Sequence, residues 1–526
     1  MNHTSPLPLM MILGYMAIVA WLSYKAASTA KKKKSNQTFE DFYTAGKSMN
    51  GFVIALITIV TFYSGTTFTG RVGFFYNYGV VSLSTVFSCS TVGVIMFFLS
   101  EKIWPISKKY RLSTLSDMLE LRYQSKWIKT ITSVTICCFN IVWLITEIRT
   151  LGMAMNMATG GLLSIKIGSI VAFAVIILYV TTGGVRSVAS VDSFSAMTML
   201  FGYVIVLVYL VCHFFDGNIF EMFRIGAEAR PELMTINSNN EYNMTYWVSN
   251  VLLATIAMLV YPSNYMSICL AKDVRSIKKS SIATALSGPW LSIYGVIGIA
   301  AVAFVAKGYT INAPETAMLE MLGEGGNALM IGLATTFIFA ASLGTLDSTL
   351  ISLSGLLSND VITNAKRIRH HEPCIGELGD NADIIHERVT KNGKKEIMIT
   401  RVIVVVLGTT ALILSMNELP LLVLLTNYAT NAISQIVPAV IGGLYWKKAT
   451  VYGAAASIIS GVASYLIMDA MGVHCFGFML GIPALAINLA VFIAVSLLTY
   501  RDSNWEGEIR QSIFRDFFVK GSLKDR

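Results

Sequence analysis

Residues 340–350 read AASLGTLDSTL and lie inside an apolar run from about Ala328 to Leu357. A carboxylate at membrane depth is expensive, so Asp347 is expected to face water, an ion or a partner inside a helix bundle. Positions 341, 344, 345 and 348 follow i, i+3, i+4, i+7 spacing and therefore share one helical face. The hydroxyls of Thr345 and Ser348 are hard oxygen groups of the kind that bind cations. A contact between helices made of small and polar residues fits the same pattern.

The composition places the whole chain in a membrane. Its 526 residues are 54% hydrophobic and 13% charged, with a mean hydropathy of +0.62. Apolar runs of about 20 residues, each long enough to cross a bilayer, recur along almost its entire length. The seven cysteines are scattered and fit neither a disulfide framework nor a metal-binding spacing. The net charge of +9 comes from basic residues in loops, so topology explains it and no nucleic-acid partner is expected.

The hydropathy pattern predicts an all-α polytopic protein with about thirteen transmembrane helices. Their approximate ranges are 8–24, 51–70, 79–100, 127–150, 163–182, 194–214, 243–266, 284–306, 328–357, 397–415, 420–443, 451–469 and 476–499. One transmembrane domain therefore fills residues 1–500, and a cytoplasmic tail occupies 501–526. Lys and Arg concentrate in alternate loops, which predicts an outside N-terminus and a cytoplasmic C-terminus in the cell membrane.

The predicted spans include two consecutive units of five, spans two to six and spans seven to eleven. Because each unit crosses the membrane an odd number of times, the second unit begins on the opposite side of the membrane from the first. This is the topology of transporters built from inverted repeats. The two predicted repeats cover about 51–214 and 243–443.

The second predicted span has a polar centre at Ser64-Gly65-Thr66. Such a centre fits a discontinuous helix, whose freed carbonyls and half-helix ends bind ions and substrate. A Gly/Ser/Thr packing groove fits it equally well.

Three charged residues lie within or beside predicted spans. Glu147 and Arg149 come late in the fourth span, and Arg71 lies at the outer end of the second. Glu147 could form a structural ion pair with either arginine. Alternatively, one arginine anchors a substrate carboxylate, or Glu147 is a protonatable coupling group.

Four motifs, in order along the chain, resemble those of the sodium:solute symporter family. They are FYTAGKSM at 42–49, GGVRSVASVD at 183–192, LAKDVRSIK at 270–278 and the opening stretch at 340–350. The similarity extends over about residues 8–500. It implies a LeuT-like fold of five plus five helices, with one additional N-terminal and two additional C-terminal helices.

The resemblance also implies where ions bind, and the polar break and the charged pair indicate where the solute binds. The main sodium site maps to Val60, Tyr63, Ala341, Gly344 and Thr345. A second ion or an ion exit maps to Asp192, Asp347 and Ser348, although Asp192 could also simply cap its helix. The expected substrate-binding residues, including the polar break and the charged pair, are Phe62, Ser64, Gly65, Thr66, Glu147 and Arg149. Position 344 is usually serine in the family, so Gly344 removes one hydroxyl ligand.

The predicted function is sodium-coupled uptake of a small organic solute across the lipid bilayer. A similarity of residues 114–125 to pantothenate symporters favours a carboxylate, such as pantothenate, a monocarboxylate or an amino acid. The alternatives are a proton-coupled symporter of the same fold and a membrane sensor that does not transport. No enzymatic activity, no cofactor and no metal other than sodium are expected, and the sequence leaves the oligomeric state open.

Overall fold

A computed structural model of the chain describes residues 5–32, 43, 45, 47–236, 242–377, 382–417, 419–501 and 508–518. The first half contains nine α-helices: α1 Leu7–Lys32, α2 Gly51–Phe62, α3 Gly65–Phe68, α4 Gly70–Tyr78, α5 Ser84–Lys109, α6 Leu115–Tyr123, α7 Lys126–Ala158, α8 Ile165–Phe214 and α9 Ile219–Ala229. The second half contains α10 Met244–Val260, α11 Pro262–Leu270, α12 Val274–Ser287, α13 Ile293–Ala306, α14 Ala317–Glu324, α15 Ala328–Gly355, α16 Asn364–Arg369, α17 Ala382–Ser415, α18 Leu422–Ile433, α19 Val437–Tyr445, α20 Val451–Ala470, α21 Gly481–Thr499 and α22 Glu508–Phe518. The predicted all-α polytopic class is confirmed.

Nine of the described helical segments are long and apolar enough to cross a membrane, or ten if the bent pair α10 and α11 counts as one span. The other predicted spans correspond to shorter or interrupted helices, such as α2 and the first part of α8. The exact number of thirteen therefore stays a prediction.

Three breaks interrupt the long helices, and each has a local cause. Ser64 has an extended backbone between α2 and α3. Gly184 adopts φ 63° and ψ −169° inside α8, a conformation that glycine tolerates because it has no Cβ. Pro262 begins α11 after a bend of 52° from α10, because proline cannot donate the backbone hydrogen bond that would continue the helix. The first helix of each predicted repeat is thus broken, which is the pattern expected of an inverted-repeat fold.

Helix α15 lies at the centre of the bundle. It packs against α1, α7 and α8, and every residue from Ala334 to Gly355 is buried. A helix that is buried on all sides can hold polar groups only where other helices or ions satisfy them. The face predicted at positions 341, 344, 345 and 348 therefore points into the protein and not towards lipid.

A group of buried and partly buried charges joins four elements at the predicted inner face. The Lys129 ammonium lies 2.6 Å from Asp117, 3.2 Å from Glu120 and 3.4 Å from Asp360. Arg367 also pairs with Glu120, at 2.7 Å. We call these five residues the inner ionic cluster. It ties α6 and the start of α7 to α16 and to the π-helix Leu356–Thr363, which continues directly from α15.

The described part of the predicted tail is a helix that docks onto the bundle. In α22, Ile513 and Phe517 are buried. Asp516 accepts hydrogen bonds from Lys109 and from the Tyr110 hydroxyl at the end of α5. The structure describes neither residues 502–507 nor the chain beyond 518.

Candidate functional site

The break between α2 and α3 exposes backbone groups inside the bundle. Helix α2 ends at Phe62, and Tyr63 and Ser64 have non-helical backbone angles before α3 begins at Gly65. Serine, glycine and threonine are weak helix formers, which favours an interruption at this point. The carbonyl groups at the end of α2 lose their helical partners and become available to ligands. The discontinuous helix that the sequence allowed is therefore present.

Helix α15 meets this break through Thr345. The Thr345 hydroxyl donates a hydrogen bond of 3.1 Å to the carbonyl oxygen of Val60 and lies 3.4 Å from the carbonyl oxygen of Ala341. Of the five residues expected at the sodium site, Val60, Ala341 and Thr345 therefore have oxygen atoms close to one another. For Tyr63, the structure describes a side-chain contact instead, since its hydroxyl bonds to Ser287 at 2.5 Å.

Gly344 faces the same place and provides no side-chain oxygen. A Cβ atom on Gly344 would lie 2.7 Å from a methyl group of Val60 and 3.2 Å from Oδ1 of Asp192. Asp192 is fully buried, and its Oδ1 has no hydrogen-bond partner among the described residues. A buried carboxylate oxygen thus points towards the position where the family usually has serine.

Asp192 and Asp347 form a pair of buried carboxyl groups. The Ser348 hydroxyl donates to Oδ2 of Asp192 at 2.6 Å, and the Tyr179 hydroxyl donates to Oδ2 of Asp347 at 2.5 Å. Within the described ranges, no Lys or Arg forms an ion pair with either carboxyl group. Asp192 lies inside α8, so it does not cap a helix. The three residues predicted for a second ion or an ion exit, Asp192, Asp347 and Ser348, do come together.

A small cavity of about 40 Å³ lies beside the helix break. Its polar lining comes from five helices around it: Ser64, Thr66, Thr67, Arg71, Thr85, Ser88, Asn250, Thr426, Asn427 and Thr430. Apolar contacts are added by Phe62, Val92, Trp143, Ala254, Met258 and Val423. Because one water molecule needs roughly 10–15 Å³ of such space, the cavity has room for only a few water molecules, and the helices would have to move apart to admit an organic solute.

The structure divides the predicted substrate-binding residues into two groups. Phe62, Ser64 and Thr66 line this cavity. Gly65, Glu147 and Arg149 do not: Glu147 lies behind Thr66, and Arg149 points towards the carbonyl oxygens of Ser415 and Asn417. Among the described lining residues, the charged side chain is that of Arg71, which donates to the Thr85 hydroxyl.

The contribution of α10 and α18 to the cavity was not predicted from the sequence. Asn250, Thr426, Asn427 and Thr430 line the cavity from these two helices. In the sequence, these residues are distinguished only as polar residues inside an apolar run. Such a position indicates a functional role, but it does not show into which cavity the side chain points.

A larger vestibule of about 650 Å³ opens towards the predicted outer face. Asn427 lines both the vestibule and the small cavity. Its side-chain amide donates a hydrogen bond of 2.7 Å to the Tyr246 hydroxyl, which also lies 3.4 Å from the Asn250 amide. Tyr246 and Asn427 therefore separate the two spaces.

A broken helix with oxygen atoms beside it and a small polar cavity within a bundle of apolar helices are the features of a helical membrane carrier. The family model of the sodium:solute symporter family matches residues 42–376. The chain therefore belongs to the sodium:solute symporter family, whose members are sodium-coupled symporters, and the family predicted from its motifs is confirmed.

Curated relatives match over nearly the full length of the chain. The sodium/pantothenate symporter of Haemophilus influenzae is 22% identical over 510 residues, which cover 95% of this chain and 98% of that protein. The osmoregulated proline transporter OpuE of Bacillus subtilis is also 22% identical, over 92% of this chain and 93% of its own length.

Two solved structures are similar in fold. A Na⁺-coupled sialic acid symporter in a substrate-bound outward-open state superposes with a TM-score of 0.74 at 16% identity and covers 94% of this chain and 98% of its own. The nucleobase-cation-symport-1 family transporter Mhp1 superposes with a TM-score of 0.53 at 13% identity, over 90% and 97% of the two chains.

Proposed function

We propose that this protein uses an inward sodium gradient to take up a small organic solute that carries a carboxylate group. The observation that carries the proposal is the contact between Thr345 and the Val60 carbonyl. It joins α15 to the broken helix at the point where both present oxygen atoms. A cation bound there would hold the two elements together, and the break that it stabilises also forms one wall of the solute cavity.

In this proposal the sodium ion is bound by the carbonyl oxygens of Val60 and Ala341, the hydroxyl of Thr345 and a carboxylate oxygen of Asp192. Hard oxygen ligands of this kind suit a hard cation. Asp192 takes the role of the hydroxyl that Gly344 cannot provide. A negatively charged ligand also lowers the electrostatic cost of bringing a cation into the membrane interior.

Arg71 is the group we propose for the solute carboxylate. Its guanidinium lies at the cavity wall, where the surrounding polar groups are neutral hydroxyls and amides. A guanidinium can bind a carboxylate with two parallel hydrogen bonds, which gives both strength and orientation. The sequence favoured pantothenate, a monocarboxylate or an amino acid, and all three carry this group.

The test is uptake into proteoliposomes from a panel of labelled carboxylates, amino acids and sugars, with and without a sodium gradient. We expect sodium to stimulate the uptake of at least one carboxylate. Exchange of labelled for unlabelled solute without any gradient would support a carrier, whereas binding without flux would indicate a sensor.

The proposed ion site is tested by Thr345→Ala, with Thr335→Ala as a matched control on the same helix. Thr335 is also buried, but its hydroxyl bonds only to carbonyl oxygens of its own helix. We expect Thr345→Ala to abolish sodium stimulation and Thr335→Ala to retain it. Sodium dependence that is equal in both variants would contradict the proposed site.

A further inference from the structure

Glu147 is a fully buried carboxylate on α7 with no basic partner among the described residues. Its side chain is 0% exposed, and its Oε1 accepts a hydrogen bond of 2.8 Å from the Thr66 hydroxyl. The two arginines that the sequence offered as partners are engaged elsewhere. Arg71 donates to Thr85, and Arg149 donates to the backbone carbonyl oxygens of Ser415 and Asn417. The charge of Glu147 is therefore not balanced by an arginine.

The groups around Glu147 are oxygen atoms from three separate elements. The hydroxyls of Ser64 and Ser342 lie close to its carboxylate, and the Thr150 hydroxyl lies 3.4 Å from that of Thr66. Oε2 of Glu147 and the Ser342 hydroxyl are both buried without a well-formed hydrogen bond within the described part of the chain. Unsatisfied buried oxygens are costly, and they commonly mark a position for an ion or a proton.

Gly65 lets the backbone of the helix break approach this group of oxygens. A Cβ atom at position 65 would overlap the Ser342 hydroxyl and press against Thr150. The close approach places Ser64 and Thr66 between two spaces, because both residues line the solute cavity and both also lie beside Glu147. A change at Glu147 can therefore reach the solute directly through these two side chains.

Two other titratable groups face Glu147 from neighbouring elements. Tyr203 approaches it from α8, and Tyr261 approaches it from the break between α10 and α11. Tyrosine is neutral at physiological pH in its ordinary state, so neither residue supplies a positive charge. An isolated carboxylate at this depth must gain a proton or a metal cation at some stage of the transport cycle.

We propose that Glu147, with the hydroxyls of Ser64, Thr66 and Ser342, forms a second coupling-cation site that binds Na⁺ or H⁺. This inference rests on the proposed transport function and adds an ion to it. The site is separate from the proposed sodium site at Val60 and Thr345 because it uses different side chains. Occupation of this site would neutralise Glu147 and fix Ser64 and Thr66, which prepares the cavity wall for the solute.

The experiment compares ion movements per solute in proteoliposomes that contain the wild type, Glu147→Gln or Glu315→Gln. Glutamine keeps the size of the side chain and cannot bind a proton or provide a negative charge. Glu315 is a matched control, since it is a partly buried carboxylate outside the site that accepts a hydrogen bond of 2.5 Å from the Leu422 amide. Radioactive sodium measures Na⁺ entry, and a trapped pH-sensitive dye measures H⁺ entry.

We expect the wild type and Glu315→Gln to move one more cation per solute than Glu147→Gln. If the missing ion is sodium, the sodium-to-solute ratio falls in Glu147→Gln. If it is a proton, the dye signal disappears and the dependence of uptake on pH flattens, while the sodium ratio is unchanged. Equal ion ratios and pH profiles in all three proteins would overturn the inference.

Failure of the second cation site can be distinguished from failure of the variant to transport and from failure of the proposed function. If Glu147→Gln does not transport, cation binding to the purified variant by calorimetry replaces the flux assay, and one binding event fewer than in the wild type is expected. If the wild type itself shows no sodium-driven uptake, the proposed function fails. Coupled uptake with an unchanged ratio in Glu147→Gln overturns only the second site.

Discussion

The buried Oδ1 of Asp192 lies 3.2 Å from the position that a Cβ atom on Gly344 would occupy. The two residues are on different helices, α8 and α15, and Gly344 also faces the Val60 side chain near the end of α2. In the proposed sodium site, this contact would place a carboxylate beside the glycine that stands where the family usually has serine. Asp192 would then offer the proposed ion a carboxylate oxygen in place of the serine hydroxyl.

This relationship predicts that Asp192 and Gly344 depend on each other. Asp192→Asn should weaken the apparent sodium affinity by at least about tenfold, which corresponds to about 1.4 kcal/mol. Gly344→Ser should recover part of this loss by restoring the hydroxyl ligand. Because the new Cβ would crowd the Val60 side chain at 2.7 Å, both changes are best made together with Val60→Ala.

The measurement is sodium-dependent uptake in the four proteins of this double-mutant cycle, all carrying Val60→Ala. Two residues that share one ion are expected to show non-additive effects. Strictly additive losses would mean that Asp192 does not replace the ligand missing at position 344.

Arg71 is predicted to determine the affinity for the solute carboxylate. Arg71→Gln removes a charge-assisted hydrogen bond worth about 1.5–3 kcal/mol, so KM for the solute should rise roughly ten- to a hundredfold. Arg149→Gln should leave KM nearly unchanged because the Arg149 side chain points to the carbonyl oxygens of Ser415 and Asn417. The reverse order of effects would identify Arg149 as the anchor.

The hydrogen bond between Asn427 and Tyr246 is predicted to restrain the entrance to the cavity. Tyr246→Phe removes that bond, which is worth about 1 kcal/mol, and should raise the open population roughly fivefold. Cys89 lines the small cavity, and Cys475 lines the vestibule. A thiol reagent that cannot cross membranes should therefore label Cys89 faster in Tyr246→Phe, measured with Cys89 as the only cysteine.

Cys475 provides the control for this measurement. As the only cysteine, it should be labelled quickly with or without Tyr246→Phe, because the vestibule is already open. An unchanged labelling rate of Cys89 would show that another contact closes the cavity.

The inner ionic cluster is predicted to stabilise the protein in a pH-dependent way. Burial acts to raise the pKa of Asp117, but the ammonium of Lys129 and the amides of Ser113 and Thr114 outweigh it and hold that pKa below its usual value. The pKa of Glu120 is lowered likewise, as Lys129 and Arg367 outweigh burial. Because both pKa values are lower in the folded protein, their stabilisation is complete above the ordinary carboxyl pKa and is lost as the pH falls through the folded values.

Lys129→Met tests this cluster by leaving its carboxylates with less positive charge. Removing one partner of a buried ion pair typically costs about 3–5 kcal/mol, so thermal unfolding in detergent should begin at a clearly lower temperature at neutral pH. The difference from the wild type should shrink in strongly acidic buffer, where the carboxylates are protonated. A difference that is independent of pH would indicate lost packing and not lost charge.

Much of this protein could be predicted from patterns that are local in the chain. Hydropathy located the helical spans, and the weak helix formers at Ser64, Gly65 and Thr66 marked the interruption between α2 and α3. The spacing of Ala341, Gly344, Thr345 and Ser348 placed them on one face. Each of these features depends on neighbouring residues, which is why the sequence alone was sufficient.

Only the tertiary structure decided which of these polar groups meet. Ser348 and Asp192 are 156 residues apart in the chain and 2.6 Å apart in space. Arg71 faces the cavity and Arg149 does not, although both are arginines near the outer ends of spans. Hydropathy determines that a segment is a helix but not its rotation about its own axis, because that rotation is set by side-chain packing between helices that are distant in sequence.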